Sequence, residues 1–187
     1  MPRDPDDRLV ERTLAGDLRA FELLVTRYRS ALYSLAYRMA GDREEAHDLA
    51  QEAFVRAYRA LRTYRCGGRF AAWLYAIAVN VCTDALRSKR CRSEPLPNPG
   101  VHVLGCSEYD PQSLYERSEM QEMVQQALGQ LPVDQRLAIV LGHLQGLTYR
   151  EAAEITGKPV GTLKSHAHRG RARLKQLLAR YLEDDLT

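Results

Sequence analysis

The chain has 187 residues, of which 45% are apolar and 27% charged, and its formal net charge is +3. A chain of this length can bury one ordinary core or two small ones. The opening stretch, MPRDPDDRL, lacks the apolar core of a signal peptide, and no apolar run approaches the roughly 20 residues that a membrane span needs. We therefore predict a cytoplasmic protein that does not insert into a membrane.

Charge is distributed in blocks along the chain. Between Asp42 and Glu52, five carboxylates stand against a single arginine. The stretch from Ala53 to Ser93 carries nine basic residues opposed only by Asp84, and residues 155–182 contain no acidic residue. Two cationic stretches that are far apart in the sequence favour two contacts along one nucleic acid.

Apolar residues at helical spacing predict three helices in the first half. The first helix ends at Gly41, and Asp42 caps the second. A glycine-containing loop from Tyr64 to Arg69 precedes the third, whose apolar stripe includes Trp73. Two groups of residues fall off the apolar stripes: Asp48, Gln51, Glu52 and Val55 on the second helix, and Asn80, Asp84 and Arg87 on the third.

The middle of the chain is rich in proline and glycine. Residues 93–105 hold Pro95, Pro97, Pro99 and Gly100, which cannot continue a helix and predict an extended linker. After Pro111, helical spacing resumes. We therefore predict a nearly all-α fold with two small helical domains, at 1–92 and 113–187, joined by a linker at 93–112.

The stretch from Gly146 to Leu178 predicts a helix-turn-helix. Thr148 and Glu151 form a capping box, Gly157 breaks the first helix, and Pro159 suits the start of the second. A helix of this kind fits the major groove of B-DNA, and its cations attract phosphate. The side chains outside its apolar stripe are Lys164, Ser165, His168, Arg169, Arg171, Arg173 and Lys175.

Four motifs in order closely resemble the extracytoplasmic-function class of the bacterial sigma-70 family, the promoter-recognition subunits of RNA polymerase. One such motif is weak, but four in order are specific, and together they cover nearly the whole chain. The motifs are HDLAQEAFVRAYRAL at 47–61, FAAWLYAIAVNVCTDALRSKR at 70–90, LPVDQRLAIVLGHLQGLTYREAAEITG at 131–157 and PVGTLKSHAHRGRARLKQLL at 159–178.

The resemblance implies partners and residue roles. The partners are core RNA polymerase, through its β and β′ subunits, promoter DNA and an anti-sigma factor, and no cofactor or metal is implied. Residues 1–92 would form domain 2, which melts and reads the −10 element, and residues 113–187 would form domain 4, which reads the −35 element. Within domain 2, the loop from Tyr64 to Phe70 would capture an unstacked base by stacking it on an aromatic ring. The implied contacts are Asp48, Gln51 and Glu52 for polymerase, Tyr64, Arg65, Arg69, Phe70, Asn80 and Arg87 for the −10 element, and Thr162, Lys164, Ser165, His168, Arg169 and Arg171 for the −35 element.

Other interpretations remain open from the residues themselves. The loop after Tyr64 can instead be a plain surface turn with Phe70 packed inward. The whole chain can be a helix-turn-helix regulator that binds DNA without polymerase. A thiol or metal sensor would use Cys66, Cys82, Cys91, His102 and Cys106, but their spacing fits no common zinc site, and reduced cysteines are expected. No constellation typical of an enzyme appears.

Overall fold

The structure, a computed structural model, describes residues 5–92 and 111–184. All regular elements within these ranges are helical, which confirms the predicted all-α fold. None of the described helices combines the length and the apolar character that crossing a membrane requires. Two helical units can be distinguished, one before and one after the proline-rich stretch.

The first unit has four helices and one short 3₁₀ turn. Asp42 accepts a 2.8 Å hydrogen bond from the backbone N–H of Glu45, so the predicted N-cap is confirmed. The preceding helix ends immediately before Gly41, also as predicted. The elements are α1 at Pro5–Leu14, α2 at Leu18–Ala40, α3 at Arg43–Ala60, the 3₁₀ turn at Leu61–Thr63 and α4 at Phe70–Arg92.

The second unit contains the predicted helix-turn-helix. Thr148 and Glu151 form the capping box, and Gly157 adopts a φ of 66° in the turn, a conformation that glycine enters without strain. The elements are α5 at Pro111–Gly129, α6 at Val133–Ile139, a π-helical turn at Val140–Leu144, α7 at Tyr149–Thr156 and α8 at Val160–Asp184. The predicted linker, 93–112, lies outside the described residues except for its last two, which open α5.

The two units pack against each other. One apolar cluster extends from Leu35 and Leu74 in the first unit to Leu137 and Leu163 in the second. Polar contacts accompany it: the Gln125 side chain donates to the Tyr37 carbonyl at 3.0 Å, the Tyr75 hydroxyl donates to Gln145 at 3.2 Å, and Arg136 donates to the Met39 carbonyl. The units therefore share a core in this structure.

Helix α1 is not among the helices that the sequence pattern predicts. Leu9 and Val10 are buried against the first unit, and Val10 is fully inaccessible to solvent. Asp6 receives hydrogen bonds from Arg27 and Tyr28, which attach α1 to α2. The residue after Asp6, Asp7, accepts hydrogen bonds from the loop between the 3₁₀ turn and α4.

Candidate nucleic-acid interface and partner surface

Helix α3 presents the acidic face predicted for partner binding. Asp48 and Gln51 are exposed, and Glu52 is partly exposed. The Glu52 carboxylate accepts a 2.7 Å hydrogen bond from Arg56 one turn later, a surface pair that contributes little to stability. We call Asp48, Gln51 and Glu52 the acidic face. Their side chains meet the main requirement of a docking surface, because they are accessible and share one side of a rigid helix.

An apolar groove lies between α2 and α3 beside the acidic face. Its volume is about 930 Å³, and aromatic rings form much of its wall, including Phe21 and Tyr58, whose ring centroids are 5.0 Å apart. Gln51 also lines the groove. The polar and apolar parts of this surface are therefore continuous, so one partner element can contact both.

The segment from Tyr64 to Arg69, hereafter loop 64–69, connects the 3₁₀ turn to α4. Tyr64 is only 8% exposed and Phe70, directly after the loop, only 1%. Their ring centroids are 5.4 Å apart, and Trp73 lies 5.6 Å from Phe70. In this structure the aromatic rings expected to stack on a base face the core instead, where they remove a large apolar area from water. The alternative of a surface turn with Phe70 packed inward describes the observed conformation.

A side chain from α1 holds loop 64–69. Asp7 Oδ1 lies 2.7 Å from the Tyr64 hydroxyl, and Asp7 Oδ2 accepts a 2.8 Å hydrogen bond from the backbone N–H of Gly67. Gly67 has a φ of +91°, and the N–H of Gly68 donates to the Arg65 carbonyl at 3.1 Å to close the turn. A side chain at Gly67 would be strained because L-residues rarely adopt that φ.

The four other residues assigned to the −10 element are all exposed: Arg65, Arg69, Asn80 and Arg87. Two of them pair with the second unit. Arg69 donates to Glu151 at 2.6 Å, and Arg87 lies 3.5 Å from Asp134. Both acidic partners belong to the helix-turn-helix unit, so this unit approaches the −10 candidates directly.

These pairs change the ionisation of the groups involved. The Arg69 guanidinium, followed by hydrogen bonds from Thr148, lowers the pKa of Glu151 from 4.5 to about 2. Glu151 in turn raises the pKa of Arg69. The pKa of Asp134 is also lowered, first by its hydrogen bond from Lys158 at 2.5 Å. Both carboxylates are therefore charged at neutral pH and complement the cations of loop 64–69 and of α4.

Helix α8 presents the cationic face predicted for the −35 element. Leu163, Ala167 and Gly170 are buried on the opposite side. Gly170 allows a close crossing, because a Cβ there would lie 2.8 Å from Cδ1 of Ile139. We define the recognition face as the exposed residues predicted to contact DNA: Thr162, Lys164, Ser165, His168, Arg169 and Arg171.

The described cysteines differ in their surroundings. Cys66 is exposed in loop 64–69, whereas Cys82 is buried in α4, where desolvation raises the pKa of its thiol to about 12. Among the residues that the structure describes, no three His, Cys, Asp or Glu side chains are grouped to hold a metal ion. His102, Cys106 and the Cys91 side chain, which the alternative of a thiol or metal sensor would use, lie outside the described part.

Asp7, which contacts loop 64–69, is not among the residues that the sequence pattern indicated for this region. The spacing of Leu9, Val10 and Thr13 is typical of a short amphipathic helix, and Gly16 lies two residues beyond its end. That pattern predicts a packed helix with two carboxylates in its first turn. It does not predict which distant residues Asp7 contacts.

Two known family profiles match the chain. The profile described as Sigma-70 region 2 matches residues 24–92, and the profile described as Sigma-70, region 4 matches residues 121–174. The acidic face and loop 64–69 fall in the first match, and the recognition face falls in the second. The helices that position these candidate surfaces therefore lie where the family has its two regions.

Curated proteins and solved structures agree with these matches. The RNA polymerase sigma-H factor of Pseudomonas aeruginosa is 36% identical, over 98% of this chain and 99% of that protein. The ECF RNA polymerase sigma-E factor of Escherichia coli K12 is 38% identical, over 89% of this chain and 90% of that protein. Similar solved structures include CnrH in complex with the cytosolic domain of CnrY. It has a TM-score of 0.69 and 27% identity, and the match covers 95% of this chain and 99% of that chain. The sigma factor RpoE in complex with the anti-sigma factor NepR from Bartonella quintana has a TM-score of 0.68 and 27% identity, and the match covers 85% of this chain and 96% of that chain.

Proposed function

The chain belongs to the extracytoplasmic-function class of the sigma-70 family, and from this premise we propose that it is an alternative sigma factor of bacterial RNA polymerase. It binds the core enzyme and directs it to promoters by reading the −35 element and melting the −10 element. The bond-forming chemistry belongs to the polymerase. One observation carries the proposal: an exposed acidic face on α3 and an exposed cationic recognition face on α8 occur in one chain.

The acidic face is our candidate for the core-polymerase contact. Asp48 and Gln51 are accessible, and Gln51 also borders the apolar groove between α2 and α3. A polymerase element with cationic and apolar side chains can therefore satisfy both parts of the surface. Opposite charge supports fast and selective association, and burial of the groove supports a long-lived complex.

Loop 64–69 and the adjoining face of α4 are our candidates for the −10 contact. Arg65, Arg69, Asn80 and Arg87 are exposed and supply cationic and hydrogen-bonding groups toward a separated strand. The rings of Tyr64 and Phe70 pack against each other in the core in this structure, so they support the loop from inside the unit. A direct stack of either ring on a base requires the ring to leave the core.

The recognition face of α8 is our candidate for the −35 contact. A rigid helix presents Lys164, Ser165, His168 and Arg169 on accessible positions, as a major-groove reader requires. Arginine can form two hydrogen bonds with guanine, whereas the hydroxyl of Ser165 is less selective. Thr162 and Arg171 suit the phosphate backbone.

An anti-sigma factor is the proposed regulator. One of the similar structures, RpoE of Bartonella quintana, is a sigma factor in complex with the anti-sigma factor NepR. A regulator that covers the acidic face or the recognition face would block polymerase or DNA. The groove beside Gln51 gives it an apolar surface on which to compete with polymerase.

Binding to the core enzyme tests the proposal. We expect the purified chain to co-elute with bacterial core RNA polymerase in the absence of DNA. Reversal of charge at Asp48 and Glu52, by Asp48→Lys and Glu52→Lys, should remove the complex. Asp84→Lys is the matched control, because it reverses an exposed carboxylate on α4, away from the acidic face. Failure of the wild-type chain to bind would favour a DNA-binding regulator that acts without polymerase.

A further inference from the structure

Helix α1 carries two adjacent buried carboxylates. Asp6 and Asp7 are 4% and 1% exposed. A buried carboxylate is unfavourable unless hydrogen bonds or a cation compensate for its lost hydration. Asp6 has this compensation from Arg27 and Tyr28 on α2. Asp7 obtains it from loop 64–69, so the two neighbours attach α1 to different parts of the unit.

The Asp7 carboxylate bridges the beginning and the tip of loop 64–69. One oxygen lies 2.7 Å from the Tyr64 hydroxyl, and the other accepts the Gly67 N–H at 2.8 Å. The Tyr64 hydroxyl is also 2.9 Å from the Gly68 carbonyl oxygen, so its proton can be donated to either acceptor. A single side chain thus sets the distance between the tyrosine at the base of the loop and the backbone at its tip.

This bridge compensates for a loop that has little apolar packing of its own. All five residues from Arg65 to Arg69 are exposed, and two of them are glycines. Glycine loses more conformational freedom than other residues when it is ordered. A loop that must receive an unstacked base binds better when its shape is fixed beforehand, because less ordering remains to be done on binding.

We propose that Asp7 is a positioning residue for −10 recognition: its carboxylate fixes loop 64–69 in the shape that receives an unstacked base. The inference rests on the proposed function, and it deepens that function by adding a residue that precedes the matched region-2 segment. In this role the Tyr64 hydroxyl contacts Asp7, and the Tyr64 ring packs against Phe70 and Trp73. Tyr64 thus connects Asp7 to the aromatic core. The exposed backbone and cations of the loop are then the parts that meet DNA.

Two substitutions separate this role from general support by α1. Asp7→Asn preserves size but replaces the charged acceptor with a neutral amide. Its oxygen can still accept the Gly67 N–H, and its NH₂ group can donate to the Tyr64 oxygen when the Tyr64 proton is turned to the Gly68 carbonyl, so both contacts remain possible but are weakened. Asp6→Asn makes the same chemical change one residue earlier, where the partners are on α2. Tyr64→Phe removes only the hydroxyl and serves as a second test if Asp7→Asn fails to fold.

Amide hydrogen exchange at Gly67 measures the anchor without DNA. We expect exchange to be about tenfold faster in Asp7→Asn than in the wild-type chain, because a neutral amide oxygen is a weaker acceptor for the Gly67 N–H than a carboxylate. Asp6→Asn should leave the rate near the wild-type value. Equal rates in Asp7→Asn and wild type would overturn the anchor, as would equal acceleration by both substitutions.

The functional test uses holoenzyme assembled from each full chain and core polymerase. The probe is a DNA library randomised at both promoter elements, from which each holoenzyme selects the sequences it melts. We expect Asp7→Asn to have a weaker base preference at the −10 element and an unchanged −35 preference, whereas Asp6→Asn keeps both. Tyr64→Phe should weaken the −10 preference in the same direction as Asp7→Asn.

The outcomes distinguish the inference from its premise. An Asp7→Asn holoenzyme that selects the wild-type −10 sequences would overturn the positioning role while leaving the sigma-factor function intact. A weaker preference in Asp6→Asn as well would assign the effect to α1 attachment and would also overturn it. A wild-type holoenzyme that enriches no −10 element would overturn the proposed function itself.

Discussion

The guanidinium of Arg69 donates to Oε1 of Glu151 across 2.6 Å, which joins loop 64–69 of the first unit to the first turn of α7 in the second. The other carboxylate oxygen, Oε2, accepts hydrogen bonds from the N–H and the hydroxyl of Thr148, both at 2.9 Å. Glu151 therefore starts a helix of the DNA-binding unit and neutralises a cation proposed for −10 binding. Phosphate and Glu151 compete for the same guanidinium in this arrangement.

The competition predicts an effect of Glu151→Gln. Glutamine can still complete a capping box, but it no longer provides the charge that holds Arg69. We expect the isolated chain to bind a single strand carrying its −10 element about two- to fivefold more tightly after this substitution, since exposed ion pairs are weak. Fluorescence anisotropy at low and high salt measures the change, and salt should reduce it.

Glu154→Gln is the control for that experiment. Glu154 is exposed on the same helix, and its charge has a smaller influence on Arg69 than that of Glu151. We expect a smaller gain in affinity from it. An unchanged or weaker affinity in Glu151→Gln would show that the ion pair does not limit access of DNA to Arg69.

The same ion pair predicts an acid-dependent change in stability. Arg69 lowers the pKa of Glu151 in the folded chain from 4.5 to about 2. A lowered folded-state pKa means that the carboxylate contributes its full stabilisation above its ordinary pKa and loses it as pH falls through the lowered value. The stabilisation should therefore decline between about pH 4.5 and about pH 2.

Comparison with Glu151→Gln isolates this contribution. Asp134 also has a lowered pKa, but Lys158 and Asp134 remain in both proteins, so their effect cancels in the difference. We expect the difference in unfolding free energy to be constant at neutral pH and to shrink through the acid range. Denaturant unfolding of both proteins at a series of pH values measures this difference in free energy. A difference that persists undiminished at the acid end would contradict the assigned cause.

The helix-turn-helix could be predicted from sequence because its determinants are local. The Thr148 and Glu151 capping box, the positive φ of Gly157 and the inward position of Leu163 each depend on residues a few positions apart. The acidic face on α3 was equally accessible to prediction, since one helix defines its geometry. These features follow from caps and from the 3.6-residue period.

Contacts between distant residues could not be predicted in the same way. Asp7 and Gly67 are 60 positions apart, and Arg69 and Glu151 are 82 apart, so no periodic pattern connects them. The composition of loop 64–69 likewise gave no indication that Tyr64 points inward. Its orientation depends on the buried acceptor that Asp7 supplies and on the Phe70 ring, both of which become neighbours only in the folded unit.

The close crossing at Gly170 predicts a stability difference between two glycines of α8. Alanine at either position gains helical propensity, about 1 kcal/mol at most. At Gly170 the added Cβ would lie 2.8 Å from Ile139 Cδ1 and 3.3 Å from the Gln135 carbonyl oxygen, whereas nothing lies within 4 Å at Gly161. We expect Gly170→Ala to be less stable than Gly161→Ala by about 1–3 kcal/mol, because overpacking strains the contact with α6.

Thermal and denaturant unfolding of the two alanine variants measures this difference. Both changes remove the same conformational freedom of glycine, so the comparison reports the packing at the crossing. Equal stability would mean that Ile139 moves aside without cost. The fold and the helix content should be the same in both variants.

The recognition face predicts distinct effects for two cations of α8. Arg169 is exposed at a position proposed to read a base, and Lys175 is exposed further along the same helix, outside the recognition face. We expect Arg169→Ala to cost about 1–3 kcal/mol in promoter binding and to relax the −35 sequence preference. Lys175→Ala should weaken binding to all sequences by a similar factor and reduce its salt dependence. Binding of each holoenzyme to promoters with single changes in the −35 element separates these outcomes, and an Arg169→Ala protein with wild-type affinity and preference would exclude Arg169 from base reading.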